Sequence, residues 1–192
     1  MSKPHGSEAG PPSRPFGSSE RKLERSSQDI PGASGAGNGL PLDEGQLAEL
    51  FAHLDQTFFR PHPMTADEAR RIAHYPGRDI YLVHEIDGQA VAYGFLRGWD
   101  EGYDVPSLGV AVRDGRQGQG YGRSMMLALH SRAKAHGASR IRLRVHPNNA
   151  RARSLYQSLG YREAGMERGE ILMFLDLGPN GHRGEDVAGG LG

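Results

Sequence analysis

Apolar residues at helical spacing predict two helices in the first patterned part of the chain. Leucine and phenylalanine recur with this spacing over residues 47–54, behind Asp43, which is placed to cap the helix. Residues 65–68 read Thr-Ala-Asp-Glu, a capping box that opens a second helix ending at Tyr75-Pro76-Gly77. Between the two helices, the prolines on either side of His62 predict an extended loop.

Alternating and β-branched runs predict six strands farther along, with two more helical stripes among them. Asp87-Gly88 suits a two-residue type I′ turn, which predicts a hairpin from the first two strands. The predicted strands span residues 80–86, 89–96, 107–112, 140–145, 161–167 and 170–177, and the helices span residues 123–136 and 149–159. The order α, α, β, β, β, α, β, α, β, β indicates a mixed sheet flanked by helices, of the α/β or α+β class.

Composition separates a folded unit from its flanks. Residues 1–40 are dominated by Gly, Pro and Ser and contain few large apolar side chains, which predicts a disordered leader. Residues 178–192 have the same character and predict a disordered tail. We therefore expect one folded domain over residues 41–177.

Charge and residue usage exclude several classes of function. The 192 residues carry 23 Lys and Arg against 23 Asp and Glu, and this balance argues against nucleic-acid and membrane partners. Cysteine is absent, which excludes disulfides, thiolate metal sites and a cysteine nucleophile. No helical His-x-x-x-His pair is present, so we expect no metal. Without a long apolar run or a signal peptide, we expect a cytoplasmic protein.

A glycine-rich turn follows the predicted strand at residues 107–112. Residues 117–122 read Gln-Gly-Gln-Gly-Tyr-Gly, and a helix begins directly after them. Such glycines let consecutive backbone N–H groups converge, and the helix N-terminus adds a partial positive charge. This order of strand, turn and helix favours a phosphate or pyrophosphate ligand, although the glycines alone also fit a tight turn without a ligand.

Two other phosphate-binding motifs fit poorly. The third glycine of the dinucleotide-binding motif is missing, and the next strand ends at His146 where that motif has an acidic residue. A P-loop is excluded because the chain has no Gly-Lys-Ser or Gly-Lys-Thr here.

A second pattern, Asn-x-x-Ala-x-x-Leu-Tyr-x-x-x-Gly-aromatic, spans residues 149–161. Together with Gln117-x-x-Gly120-x-Gly122, it resembles the GNAT superfamily of acyl-CoA-dependent N-acetyltransferases over roughly residues 81–177. The resemblance implies a mixed, mainly antiparallel sheet that is splayed in the middle to admit CoA. It also implies a strand before the first helix. None is evident between Ile30 and Leu42, so that strand is missing, short or replaced.

The resemblance assigns roles in binding acetyl-CoA, the implied co-substrate. Backbone N–H groups of the glycine turn would hold the pyrophosphate, and the preceding strand would pair with the pantetheine amides. The implied CoA-binding residues are Val110, Val112, Gln117, Gly118, Gly120, Gly122, Arg123 and Asn149. Gly109 is expected to mark a bulge in the strand. Asp114 replaces a proline that is frequent in the family three residues before Gln117.

The resemblance makes Tyr156 the group that protonates the departing CoA thiolate. A phenol with a reference pKa near 10 is a reasonable acid for a thiolate near 8.5 if the two are held together. A core role is the alternative, because Ala152, Leu155, Tyr156 and Leu159 form one apolar helical stripe.

The acceptor amine has to lose a proton before it attacks, so a base is needed. Several family members place a glutamate in the middle of the organising strand, but residues 106–110 contain no carboxylate. Asp104 and Glu101 are the substitutes we consider, against the alternative of solvated loop charges. His62 is a candidate for lining the acceptor pocket, with an ordinary surface loop as the alternative.

The implied function is direct transfer of an acetyl group from acetyl-CoA to a primary amine. We expect a small-molecule acceptor, such as an amino sugar or an amino-acid-like amine. Acetylation of a protein N-terminus or lysine is an alternative within the enzymes, and a non-catalytic acyl-CoA sensor is an alternative of another class. A homodimer is left open.

Overall fold

The computed structural model describes residues 33–36 and 42–178, and this part of the chain holds four helices and seven strands. The helices are α1 (Glu44–Ala52), α2 (Ala66–Ala73), α3 (Tyr121–Ala135) and α4 (Ala150–Ser158). None of these four is long and apolar enough to cross a membrane. The strands are β1 (Ala33–Ala36), β2 (Ile80–Ile86), β3 (Gln89–Arg97), β4 (Ser107–Val112), β5 (Arg140–Val145), β6 (Arg162–Glu167) and β7 (Glu170–Asp176). The predicted order of elements from the first helix onward is confirmed.

The strands form one sheet that opens in its middle. Their order is β1-β2-β3-β4-β5-β7-β6, and every neighbouring pair except β4 and β5 is antiparallel. β4 pairs with β3 along its whole length, but its parallel pairing with β5 comprises a single residue pair, Ser107 with Arg142. The expectation of a mainly antiparallel sheet that splays in the middle is confirmed.

Alternating side chains of the central strands place helices on both faces of the sheet. Leu82 on β2 packs into a core with α3 and α4, whereas the next residue, Val83, packs into a second core with α1 and α2. Gly94 on β3 lets α3 approach closely, because a Cβ there would lie 2.8 Å from Cγ of Met125. The sheet is therefore buried on both sides at β2 and β3.

Capping side chains begin α1 and α2 as predicted. Asp43 Oδ1 accepts a hydrogen bond from the backbone N–H of Gln46 at 2.8 Å, and Thr65 Oγ1 accepts one from Glu68 at 3.3 Å. The second half of the capping box differs from expectation. The Glu68 carboxylate turns to Arg71, whose Nε donates to it at 2.8 Å. An ion pair therefore replaces the reciprocal backbone bond.

The predicted disordered leader is wrong at residues 33–36, where β1 pairs antiparallel with β2. The pattern Ala-Ser-Gly-Ala has no hydrophobic alternation from which a strand is recognisable. A strand can form there because backbone groups bond to the free edge of β2, whatever the side chains are. The first strand of the fold, which was expected to be missing, short or replaced, is therefore present and short. Residues 1–32, 37–41 and 179–192, which hold the rest of the predicted leader and tail, lie outside the described residues.

Candidate active site

The glycine turn leads directly into α3 with left-handed backbone at two glycines. Gly118 has φ of 85° and Gly120, the N-cap of α3, has φ of 90°. No side chain caps this helix, so the N–H groups of its first turn keep no side-chain acceptor. Gly122 lies inside the first turn, where a Cβ would meet only Val112 and Leu155 at ordinary contact distances. The turn therefore presents backbone donors and the positive end of a helix dipole.

Side chains inside the turn fix its shape. The Gln117 amide accepts from the N–H of Gly115 and donates to Asp114 Oδ1, each at 3.0 Å. The backbone N–H of Asp114 donates to the carbonyl of His53 at 2.9 Å. A proline at this position would have no N–H to donate, so Asp114 permits a backbone hydrogen bond between the turn and the residue that caps the end of α1.

Arg123 connects the two helices beside the opening. It follows the turn on α3, and its Nη1 donates to Ser158 Oγ on α4 at 3.0 Å. This contact leaves the other guanidinium nitrogens of Arg123 available. It does not test the predicted role of Arg123 in CoA binding.

A cavity of about 430 Å³ occupies the gap where β4 and β5 diverge. Its walls are residues 107–110 of β4, residues 143–145 of β5, and three residues of the α4 region, Asn149, Ala152 and Tyr156. The loop between α1 and α2 forms another side with residues 58–61. The end of β3 contributes Arg97, and the segment that follows it contributes Gly98, Glu101 and Tyr103. Elements far apart in the sequence thus line one open cavity at the splay.

Tyr156 belongs both to the core and to the cavity wall. It is 8% exposed and packs beside Tyr161, with ring centroids 5.9 Å apart. Its hydroxyl has no hydrogen-bond partner within residues 42–178. Burial raises the pKa of Tyr156 to about 12, so the phenol keeps its proton at neutral pH.

Asn149 caps α4 and lines the cavity at once. Its Oδ1 accepts from the N–H of Ala152 at 3.1 Å, which leaves the NH₂ of the amide without a partner among the described residues. The side chain is therefore held in place by the helix it caps while keeping two donors free.

Gly109 does not mark a bulge, so that expectation is wrong. The β3–β4 register is regular, and Gly109 lies directly opposite Phe95. A Cβ on Gly109 would lie 2.2 Å from Cζ of Phe95. The glycine leaves room for an aromatic ring that forms part of the cavity wall.

The two candidate bases lie in different places. Both are exposed, but Glu101 lines the cavity and Asp104 lies outside its wall. A third carboxylate, Glu170 at the start of β7, lines the cavity but pairs with Arg144, whose Nε lies 3.6 Å away. No sequence signal pointed to Glu170. It follows Glu101 by almost seventy residues, and only the order of strands in the sheet brings both residues to the same cavity wall.

Two aspartates anchor the segment that carries Glu101. Buried Asp79 accepts from the N–H groups of Gly98 at 2.9 Å and Trp99 at 3.0 Å, and burial raises its pKa. Asp100 accepts from the Arg78 N–H at 3.0 Å and from the hydroxyl of Tyr75. The segment is thus a braced loop.

His62 does not line the cavity, so of the two roles considered for it the structure does not support the one in the acceptor pocket. Its Nδ1 donates to the Pro63 carbonyl at 2.9 Å, and its Nε2 accepts from the Tyr93 hydroxyl at 2.9 Å. The ring packs 5.3 Å from that of Phe51, and burial lowers the pKa of His62. The histidine that does line the cavity is His146. Within residues 42–178, no group of three or more His, Asp or Glu is arranged to hold a metal ion.

Comparison with known proteins agrees with this geometry. A family model described as the acetyltransferase (GNAT) family matches residues 47–161. A protein named acetyltransferase from Sodalis glossinidius (strain morsitans) is 28% identical over 95 residues. That match covers 50% of this chain and 64% of the relative, so it spans under two thirds of the relative's length.

Solved structures share the fold at low sequence identity. The GNAT domain of S. lividans PAT superposes with a TM-score of 0.65 at 18% identity, covering 75% of this chain and 89% of that one. A ribosomal-protein-alanine N-acetyltransferase from Brucella melitensis has a TM-score of 0.60 at 20% identity, covering 71% of this chain and 98% of that one. These similarities support the same architecture around the splayed β4 and β5.

Proposed function

The chain belongs to the acetyltransferase (GNAT) family, and we propose that it moves an acetyl group from acetyl-CoA to a primary amine of a small molecule. The observation that carries this proposal is the cavity at the splay, where Tyr156 and Glu101 line the same space. A proton donor and a proton acceptor are the two groups that amide formation from a thioester needs.

Successive parts of CoA would bind along a path from the start of α3, past the open edge of β4, to the cavity. The uncapped start of α3 would bind the pyrophosphate through backbone N–H groups. Past Ser107, the edge of β4 that faces β5 has no strand partner in the described ranges, so the backbone at Val110 and Val112 would pair with the pantetheine amides, although the Val112 carbonyl also accepts from the Gln117 amide at 3.4 Å. The free amide donors of Asn149 lie in the wall of the same space.

Tyr156 would supply the proton that the leaving sulfur needs. The amine nitrogen bonds to the thioester carbonyl carbon, the C–S bond breaks, and the electron pair stays on sulfur. The Tyr156 hydroxyl donates its proton to that sulfur, and the nitrogen, cationic after attack, loses its second proton through water to the Tyr156 phenolate, which restores the phenol. Its pKa of about 12 keeps the phenol protonated beforehand, and the same buried surroundings also raise the pKa of a thiolate formed there.

Glu101 is the base we propose for the amine. It is the carboxylate in the cavity wall that forms no ion pair within residues 42–178, in contrast to Glu170, which is paired with Arg144. Asp104 is disfavoured because it lies outside the wall. A proton leaves the ammonium for Glu101, directly or through one water, before attack.

The cavity supports a small acceptor over a protein. The cavity volume of about 430 Å³, which also has to take the pantetheine arm, falls in the range of small-ligand pockets. A protein N-terminus or lysine is the alternative acceptor, and the Brucella melitensis protein is named as an N-acetyltransferase of a ribosomal-protein alanine. The acceptor panel of the following experiment therefore includes both kinds of amine.

Thiol release from acetyl-CoA tests the proposal with a panel of amino acids, amino sugars, polyamines and short peptides. We expect turnover with small amines, and a Tyr156→Phe variant that binds CoA as wild type but turns over at least tenfold more slowly, roughly 1.4 kcal/mol of barrier. Tyr161→Phe is the matched control, since Tyr161 packs beside Tyr156 but lies outside the cavity wall. CoA binding without release of thiol for any amine would favour the sensor.

A further inference from the structure

Two arginines line the cavity without a carboxylate partner in the described ranges. Arg60 Nε donates to the Gln56 carbonyl at 2.8 Å, and Arg97 Nη1 donates to the Pro61 carbonyl at 3.5 Å. The third arginine of the wall, Arg144, differs because it pairs with Glu170. Neutral carbonyls contact the first two guanidinium groups, and neither group forms an ion pair within the described ranges, although the charge of Arg97 helps to lower the pKa of Glu68.

Both arginines lie at the end of the site away from the pyrophosphate turn. Arg97 pairs with Ser107 at the first residue of β4, whereas the turn follows Val112 at the last. An extended strand of this length spans roughly 17 Å. Arg60 lies one residue from Pro61, the carbonyl that Arg97 contacts. With CoA bound as proposed, this separation would place the two charges on the acceptor side of the thioester.

Glu101 lies at this same end, in the segment that directly follows β3. The acceptor end of the cavity therefore offers one carboxylate for an ammonium group and two guanidinium groups for an anion. A purely cationic or uncharged acceptor would leave Arg60 and Arg97 without a counter-charge when it displaces water from them.

We infer that the acceptor amine also carries a carboxylate, which Arg60 and Arg97 bind; this inference rests on the proposed function. A guanidinium matches a carboxylate with two parallel hydrogen bonds, and such charge-assisted pairs are stronger than neutral ones. The Arg97 guanidinium is also positioned beforehand, because its Cζ lies 5.6 Å over the Phe95 ring. Among small amines, this chemistry selects an amino-acid-like acceptor over an amino sugar.

Matched pairs of acceptors test the inference in wild-type protein. Each amino acid is compared with its own carboxamide, and each short peptide with an acidic second residue is compared with its Asn or Gln counterpart. We expect kcat/KM at least tenfold higher for the carboxylate member of a pair. Preference in the first set assigns the carboxylate to a free amino acid, and preference confined to the second set assigns it to a peptide side chain.

Arginine variants locate the preference. Arg60→Gln and Arg97→Gln are expected to reduce the carboxylate-to-carboxamide ratio at least fivefold, through KM more than kcat. Arg162→Gln is the matched control, since Arg162 is exposed on β6 and lies outside the cavity wall. Thermal unfolding shows whether each variant folds. If a variant does not fold, the carboxylate-to-carboxamide ratio of kcat/KM measured with wild-type protein still tests the inference.

The possible failures are distinguishable. Acetylation of amines with a carboxylate-to-carboxamide ratio near one would overturn this inference and leave the proposed function in place. A ratio that both arginine variants leave unchanged would also overturn it. Absence of thiol release with every amine would overturn the proposed function and the inference together.

Discussion

Gly109 on β4 faces Phe95 on β3 so closely that a Cβ on the glycine would lie 2.2 Å from the ring. The ring lines the cavity and lies beneath the guanidinium of Arg97. A single missing methyl group thus sets the position of an aromatic wall, and through it the position of a charge that we assign to acceptor binding.

Gly109→Ala is expected to destabilise the protein by about 1–3 kcal/mol, because Phe95 has to leave a packed position to admit the methyl group. Urea unfolding measures the change. Phe95→Leu in the same background should recover part of the loss, since the two substitutions compete for one space and their effects are not additive. A Gly109→Ala protein as stable as wild type would contradict the contact.

Gly120→Ala is expected to cost about 1–2 kcal/mol of stability and to weaken CoA binding, because φ of 90° is strained for any residue with a Cβ. The added methyl group itself meets nothing within 4 Å, so the effect is one of backbone conformation. Calorimetric titration with CoA measures the affinity. If affinity stays at the wild-type value, the turn is not the pyrophosphate site.

Gly122→Ala provides the matched comparison on the same turn. Gly122 lies within α3, and its Cβ would lie 3.5 Å from Val112, an ordinary contact. Alanine in a helix is favoured over glycine by about 0.5–1 kcal/mol, so this variant should be at least as stable as wild type.

Glu101→Gln is expected to lower kcat/KM at neutral pH at least tenfold, because the acceptor ammonium loses its proton acceptor. The defect should shrink as pH rises toward the amine pKa, where solvent removes the proton without help. Asp104→Asn, outside the cavity wall, should change kcat/KM by less than about twofold. A pH–rate profile of the three proteins checks this, and an equal defect in both variants would leave Glu101 without the proposed role.

His130 is expected to make the free energy of unfolding decrease as pH falls below about 6.5. Burial lowers the pKa of His130 to about 4, with a smaller effect from Lys134, and its Nε2 accepts from the Tyr161 hydroxyl at 2.9 Å. The unfolded chain, with a histidine pKa near 6.5, therefore binds more protons than the folded one between pH 6.5 and 4. The stability that depends on His130 staying neutral is therefore fully present above pH 6.5 and is lost as pH falls toward 4.

Urea unfolding at pH 7.5 and pH 5 measures the effect in wild type and in His130→Gln. Wild type should lose about 2 kcal/mol more than the variant between these pH values. His62 and His84, whose pKa values burial also lowers, are present in both proteins and cancel in the comparison. Equal losses in the two proteins would show that His130 titrates normally.

Local patterns in the sequence were sufficient for most elements of the fold. The caps at Asp43 and Thr65, the hairpin at Asp87-Gly88 and the turn at Gly118 and Gly120 all act within a few residues, and the structure has each of them. The short strand β1 escaped recognition because its pairing with β2 depends on backbone bonds to residues almost fifty positions away.

The sequence by itself determined the family, the glycine turn and the helix that carries Asn149 and Tyr156, because each depends on residues close together in the chain. Only the tertiary structure decided which carboxylate lies in the cavity and which histidine does not. It also brought Arg60 and Arg97 to one wall and explained Gly109 by the ring of Phe95. These relations join elements far apart in sequence, and the sheet order with its opening between β4 and β5 brings them together.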